Sequence, residues 1–297
     1  MSVIDVDPEL LKRSADAALH SAEQAAVHLQ AEFVDELDGL MDTLVAEGPY
    51  AYTQMWKLAV EPDGSVSFPI TTTRDGIRDG YGELHELMAT ATWESMVEVR
   101  GEWYTFHEGT GTGWDKSSGA FLDGVGTSIL LLPVSTAKGI TGELVWNRMP
   151  GMALGRGADA NPAPFGSDGE FAARRALLAQ HDRFLEALRA GDVDAVLEVL
   201  SVDAQSAVRD YVDDTGTLVA LDGAAAHRAH FDAFFARYRV EAVDLLHRVV
   251  ADWYVFAEVR FTLSDGARTV AFNTAEMIAP GHDGRLLVRI GHGTDPA

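Results

Sequence analysis

The stretch WYVFAEVRF, Trp253 to Phe261, is a nine-residue run of aromatic and β-branched residues broken by one Glu and one Arg. Strand formers dominate it. Alternation puts Trp253, Val255, Val259 and Phe261 on one face and Tyr254 and Phe256 on the other, so both faces are largely apolar. That pattern predicts a central strand covered on both sides. The stretch has an echo: WYTFHE, Trp103 to Glu108, carries the same Trp-Tyr-x-Phe-x-Glu spacing 150 residues earlier.

Landmarks around the echo repeat in the same order. TRDG (Thr73 to Gly76) and ALDG (Ala220 to Gly223) lie 147 residues apart, as do ILLLP (Ile129 to Pro133) and EMIAP (Glu276 to Pro280). Each of the latter precedes a Gly-containing turn and a last apolar strand, GELVW or GRLLV. The chain is therefore expected to contain one domain twice, against the alternative of two unrelated α+β domains sharing an aromatic strand. A length of 297 residues, 47% hydrophobic and 23% charged, suits two globular cores. The absence of cysteine excludes a disulfide framework, a thiol nucleophile and a thiolate metal site. A net charge of −23 disfavours nucleic acid and anionic membranes, which need Lys and Arg against phosphate. No apolar run approaches the roughly 18–20 residues of a membrane span, and MSVIDVDPEL lacks an apolar signal core. A cytoplasmic protein is the simplest expectation.

In chain order, residues 8–47 are helix-rich up to Gly48-Pro49. Residues 51–60 form a strand candidate and 75–88 a helix, with strands around 93–110, 125–134 and 142–148. The segment 151–170 is rich in Gly, Pro, Asp and Ala without an apolar period and reads as a linker between domains at 1–150 and 171–297. The second domain opens with helices at 171–190 and 193–200. A strand at 206–212 follows, then a helix at 223–237 and strands at 243–251, 253–264, 268–279 and 285–292. Helices early and an antiparallel sheet late predict an α+β domain with helices on one face of a curved sheet.

HDRFLEALRAGDVDAVLEVLSVDA, 181–204, resembles the opening of the nuclear transport factor 2-like superfamily, particularly its SnoaL-like and ketosteroid-isomerase branches. The resemblance rests on the Gly191-Asp192 step after the first helix, Asp203-Ala204 before the first strand, and the late hairpin tip Asp283-Gly284-Arg285. It implies two tandem cone-shaped α+β domains, the first divergent, with a deep apolar pocket in the second. Members are isomerases, cyclases, dehydratases and epoxide hydrolases, or non-catalytic binders. Relatives often pair through their sheets, so the two copies are expected to pack as an internal pseudo-dimer, leaving the chain a monomer or a homodimer.

Asp210 and Glu276 are the leading catalytic candidates. In SAVRDYV, alternation sets Asp210 between Val208 and Val212, and a carboxylate on an apolar face must be paired or used. The isomerases carry their proton-moving carboxylate on this strand, with a two-residue insertion needed here to reach Asp210. Glu276 shares a face with Phe272, Thr274 and Ile278. The resemblance makes it a second acid that donates a hydrogen bond to a substrate oxygen. The plainer alternatives are an Asp at an acidic strand end and a Glu paired with Arg289.

His181, on the apolar stripe of the first helix, and His292, continuing the Val288/Ile290 face, are candidate acid–base groups. Either could instead be a satisfied core histidine. Phe184 stands where the isomerases place an oxyanion-binding Tyr and cannot donate a hydrogen bond. Tyr211, Phe272 and Asn273 join Phe184 as candidate substrate contacts. Glu258 and Arg260, two apart on a strand, form a rival site. Limonene-type epoxide hydrolases use an Arg and acids in the same pocket, with the order on the strand reversed.

The first domain has Gln54, Trp56 and Lys57 where Asp210 would sit and no acid in ILLLP, so a supporting role is expected, with His107 or Lys57 as candidates to serve a separate site. No metal pattern stands out: His227 and His230, at i and i+3, read as helix-surface residues. No phosphate loop is present, and no cofactor is called for. The expected function is a cofactor-independent acid–base enzyme, an isomerase, cyclase or dehydratase acting on a small hydrophobic carbonyl compound. The alternatives are an epoxide hydrolase using Glu258 and Arg260 and a non-catalytic binder of a hydrophobic ligand or partner.

Overall fold

The computed structural model describes residues 7–34, 36–48, 50–54, 59–60, 66–67, 70–133, 139–148, 163–281 and 283–297. Trp56, Lys57 and most of the expected linker lie outside these residues. The chain divides into two compact units: Met1–Lys57 with Pro69–Asn147, and Leu58–Phe68 with Arg148–Ala297.

The N-terminal unit begins with α1 (Pro8–Phe33) and α2 (Leu37–Asp42), where one helix-rich segment was expected. The short strand β1 (Ala51–Gln54) follows, and β2 (Ala59–Val60) and β3 (Val66–Ser67) form a separate two-stranded ribbon in the stretch that groups with the second unit. Then come β4 (Ile70–Thr71), α3 (Arg74–Leu87), β5 (Met88–Arg100), β6 (Thr105–Asp115), β7 (Phe121–Pro133) and β8 (Ile140–Arg148). The strand expected at 93–110 is two strands, because the backbone turns at Gly101, whose N–H donates to the Tyr104 carbonyl at 2.9 Å. Sheet order is β4-β1-β8-β7-β6-β5, with β1 parallel to β8. One sheet face packs with the helices over Leu29, Leu40, Tyr52, Tyr81 and Leu131.

The C-terminal unit contains α4 (Asp168–Ala190), α5 (Val193–Val199), β9 (Leu200–Arg209), β10 (Leu218–Asp222) and α6 (Gly223–Arg237). Four antiparallel strands complete it: β11 (Arg239–Val250), β12 (Val255–Ser264), β13 (Thr269–Pro280) and β14 (Leu286–Gly293). Sheet order is β10-β9-β14-β13-β12-β11, the order of the first sheet again, with β9 parallel to β14. The turn before β12 repeats too, Ala251 N–H donating to the Tyr254 carbonyl at 3.0 Å. The opening stretch thus forms the last-but-one strand rather than a central one, and Trp253 and Tyr254 belong to its entry turn. Register shifts near Val240 and Leu245 in β11, and near Thr90 and Ser95 in β5, mark bulges that let each long edge strand bend.

Local chemistry explains the helix boundaries. Ser167 caps α4 by accepting from Glu170 N–H at 3.2 Å, so the helix starts before the expected linker ends. Gly191 closes α4 at φ 63°, while Asp192 N–H reaches the Ala187 carbonyl at 3.1 Å. The Asp192 side chain then caps α5 through Ala195 N–H at 3.0 Å. The Gly-Asp step is therefore a helix stop and a helix start in two residues. Val255, Val259, Phe261, Phe272 and Ile278 face the helices and form the core with Leu188, Phe231 and Phe234.

Candidate functional site

On the helix-covered face of the second sheet lies a cavity of about 440 Å³, counting the part open to solvent. Phe231 and Phe234 from α6 and Phe261 from β12 supply much of its wall. Tyr211 lies flat on Phe272, ring centroids 3.6 Å apart and planes at 14°, and Phe272 stacks on Phe261 at 5.2 Å. The Tyr211 hydroxyl donates to the Thr294 carbonyl at 3.1 Å, which holds the stack in place.

The polar lining comes from α6 and from alternate residues of β13. Thr274 and Glu276 point with Phe272 toward the helices, and Arg289 on β14 reaches them. Arg289 grips both Glu276 oxygens, Nε to Oε2 at 2.7 Å and an Nη2 bond to Oε1 at 2.6 Å, with both residues buried. Its guanidinium also sits 5.3 Å from the Phe184 ring centroid. The buried Thr274 hydroxyl has no hydrogen-bond partner among the described residues. His230, half-buried on α6, lines the cavity with its pKa lowered to about 4. Burial is the main cause, then the charge of Arg289 and the neighbouring His227, with Asp210 pulling weakly the other way. The ring is neutral at neutral pH and can accept a proton.

Residues 181–287 match the family model of the SnoaL-like domain. The C-terminal unit carries a SnoaL-like domain. None of the curated proteins matches the chain. Similar solved structures include a Δ5-3-ketosteroid isomerase from Mycobacterium sp., 12% identical over 41% of this chain and 97% of that one, TM-score 0.36. A limonene-epoxide-hydrolase-like enzyme of M. tuberculosis is 20% identical over 42% and 84%, TM-score 0.34. RV0760c of the same organism, solved with estradiol-17β-hemisuccinate, is 15% identical over 39% and 92%, TM-score 0.35.

The SnoaL-like domain brings Glu276, Tyr211, Phe272 and His292 to the cavity and places the other expected residues elsewhere. Asp210 is a correction. The strand ends at Arg209, and the Asp210 carboxylate turns into its own loop, accepting from Val212 N–H at 2.8 Å, Asp213 N–H at 3.0 Å and the Thr215 hydroxyl at 3.0 Å. Burial raises its pKa, but these donors outweigh it and hold the carboxyl below its ordinary range. It caps a turn in which Asp214 takes φ 56°. Glu276 departs from its expected part as well: both its oxygens accept from Arg289, the plainer of the two expectations for it.

His181 is fully buried on α4 behind the cavity, its Nδ1 accepting from Arg248 at 3.3 Å. Burial and Arg248 lower its pKa to about 4. Phe184 backs Arg289 instead of meeting a ligand. His292 borders the cavity, but its register opposite Ala275 turns the ring to the other sheet face. There burial and Arg209 lower its pKa to about 4.

Glu258, Arg260 and Asn273 share that outer face, since Glu258 pairs with Ala275 and Arg260 with Asn273. Asn273 donates to Glu258 at 3.0 Å, His247 lies 3.7 Å from the same carboxylate, and Arg260 is exposed. The rival epoxide-hydrolase site therefore faces away from the cavity. The two histidines read as surface residues are not: His227 is buried between Ser206 and the Gly223 carbonyl, each at 2.8 Å. His230 is the residue the sequence reading missed. Its signal was the helical stripe it shares with His227, Phe231 and Phe234. No described helix is long and apolar enough to cross a membrane.

Proposed function

We propose that the SnoaL-like domain binds a small, flat, largely apolar molecule carrying one oxygen function, and that His230 moves a proton on it. The observation that carries this is the unpartnered Thr274 hydroxyl among aromatic walls. A buried hydroxyl without a partner costs about 1–3 kcal/mol, which a ketone or phenol oxygen in the cavity would recover. The Glu276–Arg289 pair fixes the field at that end, and neutral His230 is the base within the same walls. A second reading, ligand binding without chemistry, is favoured by that same pair, because it occupies the one carboxylate lining the cavity among the described residues.

Fluorescence titration with 2-naphthol tests binding; the expected result is saturation, weakened about tenfold in Thr274→Val by loss of one buried hydrogen bond. Deuterium exchange at the α-carbons of 2-tetralone, followed by NMR in D2O, tests proton transfer. Exchange above the buffer rate that disappears in His230→Asn supports the enzyme. Saturable binding with exchange only at the buffer rate leaves the non-catalytic reading, and absence of binding removes both.

A further inference from the structure

The N-terminal unit buries a cluster of its own. His28 and Glu32 lie four residues apart on α1 and so project from one helix face. Glu143 on β8 stands beside Tyr52 on β1, paired in register, and α3 brings Tyr81 against them. His28 and Glu143 are fully buried, and Tyr52 and Tyr81 nearly so. Donor atoms of His28, Glu32 and Glu143 all fall within 4.8 Å of one another.

The hydrogen bonds fix which nitrogen of His28 faces this cluster. The Thr43 hydroxyl donates its single hydrogen to the Leu40 carbonyl at 2.6 Å. Its oxygen must therefore accept from His28 Nδ1–H, also at 2.6 Å. Nε2 points to the other side, 3.5 Å from a Glu143 oxygen and 3.1 Å from the Tyr81 hydroxyl. Tyr81 spends its own hydrogen on Glu143. The second Glu143 oxygen and the Tyr52 hydroxyl have no partner among the described residues. Burial, with the charge of Glu143 added, pushes Glu32 well above the usual carboxylate range. Two carboxyl groups and the imidazole Nε2 thus converge in one buried place. Arg74, whose charge acts on Tyr52, donates to the Val45 and Met41 carbonyls.

We propose that His28, Glu32 and Glu143 bind a divalent transition-metal ion of the zinc class. Imidazole nitrogen and carboxylate oxygen bind such ions at about 2.0–2.2 Å, which sets donors about 3.4 Å apart in a tetrahedron, close to the observed His28–Glu143 separation of 3.5 Å. The Nδ1–H anchored on Thr43 is the outer contact that orients a ligating histidine. Three protein donors leave a fourth position of a tetrahedron for another ligand.

The test is Co(II) titration of chelator-treated full-length protein, read by visible absorption and by metal content after gel filtration. One equivalent per chain with d–d bands between about 500 and 650 nm, displaced by Zn(II), is the expected result. His28→Gln and Glu143→Gln should each weaken binding at least tenfold with unchanged circular dichroism, and Glu186→Gln, exposed on α4, should not. No retained metal in folded wild type overturns the proposal without recourse to any variant. Retained binding in both His28→Gln and Glu143→Gln overturns it equally.

Discussion

Arg289 shows how one side chain settles the character of the cavity. It neutralises Glu276, stacks on Phe184 and depresses the pKa of His230. Removing it strands a buried carboxylate, so Arg289→Met should cost about 3–5 kcal/mol in urea unfolding. The double variant Arg289→Met with Glu276→Leu should recover most of that loss, because the charge is gone with its partner. Equal destabilisation of the single and double variants would mean that the pair is not what holds this end together. Asp210 teaches the complementary lesson. The run Asp213-Asp214-Thr215-Gly216 behind it is turn chemistry, and a carboxylate at a turn is taken by the nearest backbone donors.

At the scale of elements, the Gly191-Asp192 step decides where α4 ends and α5 begins. Gly191 holds φ 63°, and a Cβ there would meet nothing nearer than Phe235 at 3.8 Å. Strain and not collision is therefore the cost of a side chain. Gly191→Ala should destabilise the unit by about 1–2 kcal/mol in chemical unfolding, and an unaffected midpoint would show that the left-handed cap is dispensable. Alternation along β12 and β13 sorts the candidates more strictly still. Phe272, Thr274 and Glu276 go to the cavity, while Glu258, Arg260 and Asn273 go to the other face. That sorting needed only the period of two and the knowledge of which face the helices cover.

For the whole molecule, burial of neutral histidines links stability to pH. His181 has a folded pKa of about 4, set by burial and Arg248 against the opposing charges of Glu276 and Asp182. An unfolded histidine takes its proton near about 6.5. The unfolded chain therefore binds more protons than the native one between those values, and stability falls as pH drops from about 6.5 to about 4. For fully buried His181 the loss is on the order of 3 kcal/mol, and His230 and His292 act in the same sense. Urea midpoints should fall between pH 7 and pH 4.5, less steeply in His181→Gln. A parallel decline in both proteins would acquit His181.

The amino-acid sequence by itself determined the α+β class, the helix stop and start at Gly191-Asp192 and the SnoaL-like character of the C-terminal half. These depend on neighbours a few residues apart, whose spacing is written in the chain. It also marked Glu276 and Phe272 as sharing a face, because an alternating strand exposes its own parity. Tertiary structure alone decided what those residues do. Arg289 reaches Glu276 only through the pairing of β13 with β14, and His230 enters the cavity only because α6 lies over the sheet. The cluster of His28, Glu32 and Glu143 exists only because β8 runs parallel to β1 beneath α1. Charges that lie far apart along the chain interact through distance and burial, and neither is a property of spacing in sequence.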